Sequence, residues 1–179
     1  PAVAQQKTIR IGFIGPLSGG NAHHGLAARN GYVLAVEQAN AAGLPFKIDT
    51  AILDDASDPT TGVNAALKLT NDSDIVAAIG HWNSPVALAT TPVFNRAGIP
   101  FIVWGAISPR VTEQNLPFVT RVTPTLTAEN TPLAEWLAKT RGVKTLVIVS
   151  DTSDYGKQNT TSFTGLFEKH GGKIVGSDA

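Results

Sequence analysis

The 179-residue sequence contains no cysteine and no methionine, carries a formal charge of zero and holds no long apolar run. Without cysteine there is no thiol nucleophile, no zinc ribbon and no disulfide scaffold, although the compartment stays open because exported bacterial domains often need no disulfide. No stretch approaches the roughly 18 to 20 consecutive apolar residues of a membrane helix. Fourteen Lys and Arg balance 14 Asp and Glu without forming a basic stripe, which argues against a nucleic-acid partner or a membrane surface. Lacking Met, the chain is expected to begin past its translational start. Its first residues carry Ala2-Val3-Ala4, the small-x-small form read by signal peptidase, so residues 1–7 are expected to be a signal-peptide remnant and leader, cut after Ala4.

What is present is a hydrophobic content of 42%, enough for one sizeable core and part of another. Its periodicity alternates between short strand-like runs and longer helix-like ones, the pattern of β and α units around a parallel sheet. Strands are predicted over residues 8–15, 46–52, 75–80, 100–104 and 118–122, with helices over 24–41, 58–71 and 84–97 between them. The segment 123–127, rich in Thr and broken by Pro124, reads as a crossing or hinge. The pattern then restarts with a helix over 128–140, a strand over 145–150, a helix over 155–170 and a strand beginning at 173–175. The expected architecture is therefore α/β, with two doubly wound parallel-sheet lobes. A first ligand-binding lobe spans 8–122, and residues 123–179 form the hinge and an incomplete second lobe, too short to cover both faces of a sheet. Asp58-Pro59, Ser84-Pro85 and Ser108-Pro109 each suggest an N-cap side chain followed by proline at the first helical position. Each follows a predicted strand, which puts the interesting loops at the carboxyl ends of the sheet, where open α/β sheets bind ligands.

The glycine-rich turn of residues 12–20 has neither the G-x-G-x-x-G spacing of a dinucleotide site nor the Gly-Lys-Ser/Thr of a phosphate loop. It reads either as a tight turn exposing N–H groups toward a cleft, with Ser18 a ligand-binding candidate, or as a purely structural turn. Asp54, Asp55 and Asp58 raise a magnesium or phospho-acceptor site, against which stands a local reading in which Asp58 caps a helix and an upstream Asp ties down the turn. The local reading is favoured, because Gly15-Pro16 and Gly80-His81 stand where a receiver domain needs acids. His81 and Ser84 do not make a hydrolase, since Ser84 is not in a G-x-S-x-G elbow. No catalytic residue, metal ligand or cofactor is assigned. Ser84 and the N–H groups of the following helix instead make a small anion site suited to a carboxylate. Adjacent on a helix, His23 and His24 should point apart and make a poor metal pair; His24 is either a cleft-facing hydrogen bonder or a solvated surface residue. Trp82 and Trp104, both at strand ends, line a site or serve the core.

The stretches IRIGFIGPLSGG, ILDDASDPTTGVNAALKL, AAIGHWNSPVALATTPVFNRAGIPFIVWGA and VIVSDTSDYGK resemble, in order and spacing, the periplasmic leucine/isoleucine/valine-binding family of ABC-transporter receptors. That resemblance implies the type I periplasmic-binding fold, two α/β lobes that close on a ligand between their strand ends. It implies that Ser84 holds the ligand carboxylate, that Gly105 offers backbone groups, that His24 stands where a cleft Tyr often does, and that Tyr155 closes on the ligand from the second lobe. Ser57 and Asn83 occupy positions that form a disulfide in some members. Ile107 stands where amino-acid binders commonly present a hydroxyl to the ligand ammonium, which favours an aromatic or other hydrophobic acid lying against Trp82 and Trp104. The acidic partner of the ammonium is expected beyond Ala179. The function so implied is that of a periplasmic, non-enzymatic receptor for a small carboxylate or branched-chain amino acid, delivering it to an ABC permease of the inner membrane. The alternative is a cytoplasmic amide or amino-acid sensor on the same fold.

Overall fold

The computed structural model describes residues 7–178. The small-x-small leader at Ala2 to Ala4 lies outside them. The chain first builds β1 (Lys7–Gly15), α1 (Ala22–Ala41), β2 (Phe46–Asp54), α2 (Pro59–Thr70), β3 (Ile75–Gly80), α3 (Ser84–Ala97), β4 (Phe101–Val103), the single-turn α4 (Arg110–Glu113) and β5 (Val119–Arg121). These five strands pair in parallel in the order β2-β1-β3-β4-β5. The order reverses at β1, so the connections leaving β1 and β3 run to opposite faces and open a crevice at the carboxyl ends.

Successive residues explain why the carboxyl half of β1, Ile11 to Gly15, is an unbroken apolar run. Phe13 faces α1, joining Tyr32 and Val36, while Ile14 faces α2 and α3 in a cluster with Leu69, Phe94 and Phe101. Both side chains are completely buried, so a polar residue at either position would be desolvated.

Of the three expected cap-and-proline junctions, only Asp58-Pro59 has that form: Asp58 accepts the Thr61 N–H at 2.7 Å. Ser84 is the first helical residue rather than the cap, and its cap residue Asn83 makes no side-chain capping bond. Pro109 itself precedes the first residue of α4, again without a capping bond. The two serines are diverted by tertiary bonds: Ser84 Oγ accepts the Ser108 N–H at 3.2 Å, and Ser108 Oγ donates to Gln158 Oε1 at 2.6 Å.

The remaining elements are α5 (Leu126–Glu135), continued by a π-helical turn at Trp136–Thr140, then β6 (Thr145–Val149), α6 (Asp154–Lys169) and β7 (Lys173–Asp178). α5 begins two residues earlier than expected because Thr125 Oγ1 accepts the Ala128 N–H. Only residues 123–125 of the anticipated hinge therefore lie outside helix. β6 and β7 pair in parallel as a separate sheet. Leu146 and Ile174 pack with Ala134, Ala138 and Phe167 on one face. On the other, Val147 and Val149 are 62% and 80% exposed, the alternation of a sheet covered on one side.

Candidate functional site

At the carboxyl ends of β1 and β2, Asp54 binds two loops together. Its carboxylate accepts the Leu17 N–H at 2.7 Å, the Ala56 N–H at 2.8 Å and the Ser18 hydroxyl at 2.5 Å. Partial burial pushes the Asp54 pKa up, but the Ser18 hydroxyl and the Ala56 and Leu17 N–H groups outweigh it and hold the carboxyl below its ordinary value. Asp55, fully buried, accepts the Ser57 N–H at 2.9 Å through one oxygen and His81 Nδ1–H at 2.7 Å through the other. Asp58 caps α2. All three carboxylates thus serve the turn, as the local reading held, and no cluster suited to a metal ion occurs among the described residues.

His81 carries this order into the next loop. Its carbonyl accepts the N–H groups of Gly105 and Ala106 at 3.1 and 3.0 Å, laying the chain after β4 against the chain after β3. That approach needs glycine: a Cβ on residue 105 would lie 2.7 Å from Trp82 Cε3 and 3.0 Å from Trp82 Cα. Trp82 is held on its other side by His24, whose ring stacks on it at 4.0 Å between centroids, and Trp104 lies 5.7 Å away with Phe13 behind it at 6.2 Å. His23 and His24 do not point apart; their rings are 3.8 Å apart. In the first turn of α1 no preceding turn restricts the side-chain rotamers, so neighbouring rings can converge.

A cleft of about 470 Å³ opens above these loops. Trp82, Ser84, Gly105 and Ile107 line it from the first sheet, and Tyr155 lines it from the first turn of α6. Five of the eight expected ligand residues therefore share one cavity. The other three stand elsewhere. Ser18 is spent on Asp54, His24 backs Trp82, and Trp104 sits beneath, its Nε1 buried without a partner among the described residues.

Ser84 is 3% exposed, at the N-terminus of α3. Because its Oγ already accepts from Ser108, and no described acceptor takes its proton, the hydroxyl can donate into the cleft. Donor hydroxyl and helix N-terminus together favour an anion.

The opposite wall carries Glu129 from α5 and Asp151 and Ser153 from the loop before α6. Bonds from the Ser153 side chain and backbone hold the Asp151 carboxyl below its ordinary value. The cleft thus sets the Ser84 hydroxyl, with the unpartnered Asn83 Oδ1 beside it, against carboxylates on the other wall, which suits a ligand with an acid at one end and a hydrogen-bond donor at the other. Sequence reasoning missed these acids as well as Ser57 and Asn83 as lining residues, having marked the latter two only as disulfide positions. Asp151 had a signal, an Asp immediately after a strand; Glu129 had none, because which face of α5 meets the cleft is set by tertiary packing.

A family profile described as periplasmic binding protein matches residues 8–179. Among curated relatives, the leucine-, isoleucine-, valine-, threonine- and alanine-binding protein of Pseudomonas aeruginosa is 28% identical over 170 residues, 94% of this chain and 45% of its own length. The branched-chain amino acid transporter substrate-binding protein of Streptococcus pneumoniae, solved with isoleucine, superposes with a TM-score of 0.88 at 27% identity, covering 96% of this chain and 49% of that one. The ABC-transporter solute-binding protein of Rhodopseudomonas palustris, solved with 3,4-dihydroxybenzoic acid, gives a TM-score of 0.87 at 27% identity, covering 96% and 47%. The chain spans about half the length of these relatives. A profile match over nearly the whole sequence and superposition on solved solute-binding proteins agree: the chain belongs to the periplasmic binding protein family.

Proposed function

We propose that the chain is the ligand-gripping part of a periplasmic solute-binding receptor of an ABC importer, binding a small hydrophobic or aromatic carboxylate or a branched-chain amino acid and catalysing no reaction. In this reading residues 8–122 are the first lobe and residues from 123 onward are the hinge and second lobe. The observation that carries it is the convergence of Trp82, Ser84, Gly105, Ile107 and Tyr155 on one cleft, with the Ser84 hydroxyl free to donate.

The ligand carboxylate docks on Ser84 and the N-terminus of α3. Its apolar body lies between Trp82, Ile107 and Tyr155. The Ile107 side chain offers no acceptor, but Glu129 and Asp151 across the cleft and Asn83 Oδ1 beside Ser84 can each take a bond from a donor on the ligand, so that donor has candidate partners before the acid expected beyond Ala179. An ammonium or a phenolic hydroxyl is such a donor. The relatives solved with isoleucine and with 3,4-dihydroxybenzoic acid hold one ligand of each kind. Closure about the segment near Thr120 to Thr125 then presents a joined surface to an inner-membrane permease.

Tryptophan fluorescence tests this, because Trp82 borders the cleft and Trp104 lies against it, whereas Trp136 is on the far helix. The intact protein is titrated with isoleucine, leucine, 4-hydroxybenzoate and 3,4-dihydroxybenzoate. A saturable response to the aromatic acids alone supports the reading and the meaning given to Ile107. A response to leucine or isoleucine keeps the receptor and makes the acidic wall an ammonium site. No response to any of the four would refute the ligand class.

A further inference from the structure

Ser108 has all of its polar groups engaged and no exposure to solvent. Its N–H donates to Ser84 Oγ at 3.2 Å, its carbonyl accepts from Arg121 Nη1 at 2.8 Å, and its hydroxyl donates to Gln158 Oε1 at 2.6 Å. Ser84 is the residue to which the proposed function gives the ligand carboxylate, and Gln158 belongs to α6, on the far side of the cleft. Gln158 Nε2 is buried with no partner among the described residues, so Ser108 is the bond that fixes this amide.

Among the described residues, the other side-chain polar link between the first sheet's loops and α6 is the Arg110–Asp154 ion pair, at 3.5 Å with both side chains about half exposed. A pair so exposed and so long contributes little. A short bond in a dry setting is stronger, and breaking it leaves a buried group unsatisfied. A backbone bond from the Leu126 N–H to the Ile107 carbonyl, at 2.9 Å, ties the same loop to the start of α5, so it is the link to α6 that runs chiefly through Ser108.

Resting on the receptor reading of the cleft, we infer that Ser108 is a positioning residue that couples occupancy of the carboxylate site at Ser84 to docking of the second lobe through Gln158. When Ser84 donates its proton to a carboxylate, its oxygen becomes a better acceptor for the Ser108 N–H, because hydrogen bonds in a chain polarise one another. That holds the Ser108 backbone in the place from which its hydroxyl reaches Gln158. Conversely, docking of α6 fixes Ser108 and so preorganises Ser84. By linkage, ligand binding and lobe docking favour each other through this residue.

These 179 residues hold no cysteine, so a label introduced among them is unique there, and any cysteine elsewhere in the intact protein is first replaced by serine. Glu37→Cys on α1 and Lys169→Cys at the end of α6 are both exposed and carry a fluorescence energy-transfer pair. In the intact protein without added ligand, Ser108→Ala and Gln158→Leu each shift the inter-lobe distances toward wider separation, and the double variant shifts them no further than either alone. Ser108→Ala retains the N–H to Ser84, and Gln158→Leu leaves the first lobe untouched, so either variant serves if the other fails to fold. With isoleucine or 4-hydroxybenzoate, whichever the wild type binds, both variants release the probe about tenfold faster with little change in association, as the loss of one buried bond implies. Unchanged distances in both single variants, or a double variant equal to the sum of its parts, would overturn the coupling. Failure of the wild type to bind either probe counts against the receptor reading instead, and is told apart because lobe separation is read without ligand.

Discussion

Asp55 accepts from both Ser57 and His81, and through the His81 carbonyl its influence reaches Gly105 and Ala106. Neither Asp55 nor His81 lines the cleft, yet these bonds fix the height at which Trp82 and Gly105 meet it. Asp55→Ala strips the buried imidazole of its Nδ1 acceptor while Nε2 already lacks a described partner. Urea denaturation should show a loss of about 2 kcal/mol of stability, the cost of an unsatisfied buried donor. A variant as stable as the wild type would mean that the pair is not held in the folded protein. At this scale the sequence revealed which residues carry chemistry better than what each is bonded to. Ser84 was legible as a hydroxyl beside a helix-starting proline at a strand end. That its oxygen accepts from Ser108 was not, since the partner lies 24 residues away. Trp104 and Ser18 were legible as groups near strand ends and His24 as the start of a helix, but the Ser18–Asp54 bond and the ring contacts of His24 and Trp104 place them behind the residues that line the cleft.

Among the elements, the strands of the first sheet were the most legible, because a parallel sheet covered on both faces demands apolar runs that little else produces. β4 and β5 nevertheless span three residues each, shorter than the expected strands over residues 100–104 and 118–122. The Trp104 N–H bonds to the Gly80 carbonyl as Gly105 and Ala106 turn to His81, taking the chain out of the ladder. The start of α5 was misjudged for a similar reason: Thr125 was visible as a polar residue after a proline, but the sequence did not show that its hydroxyl caps a helix. Thr125→Ala removes that cap and should lower the stability of the second unit by about 1 kcal/mol, read from Trp136 fluorescence during denaturation. An unchanged midpoint would place the helix start elsewhere.

Taken together, the described residues form a five-stranded sheet joined by a short connection to a two-stranded one, with the cleft between the sheet ends. The first sheet supplies donors, Ser84 and the α3 N-terminus; the second unit supplies Tyr155 and the carboxylates Glu129 and Asp151. Under the proposed function such a division makes selectivity a property of both units, the acid of the ligand being read on one side and its donor on the other. The overall architecture was legible in the alternation of strand and helix patterns. The polarity of the cleft was not, since Glu129 and Asp151 face Ser84 only once the two units are folded against each other.

The account stands most directly on the claim that a ligand carboxylate docks at Ser84. A calorimetric titration of the intact protein with 4-hydroxybenzoate or isoleucine, whichever it binds, and with the corresponding uncharged amide tests it in wild type and in Ser84→Ala. The account predicts that the wild type binds the acid roughly ten- to a hundredfold more tightly than the amide, as loss of a charged hydrogen bond of about 1 to 3 kcal/mol implies, and that Ser84→Ala removes most of that preference. Equal affinity for acid and amide in the wild type, or a preference untouched by Ser84→Ala, would contradict it.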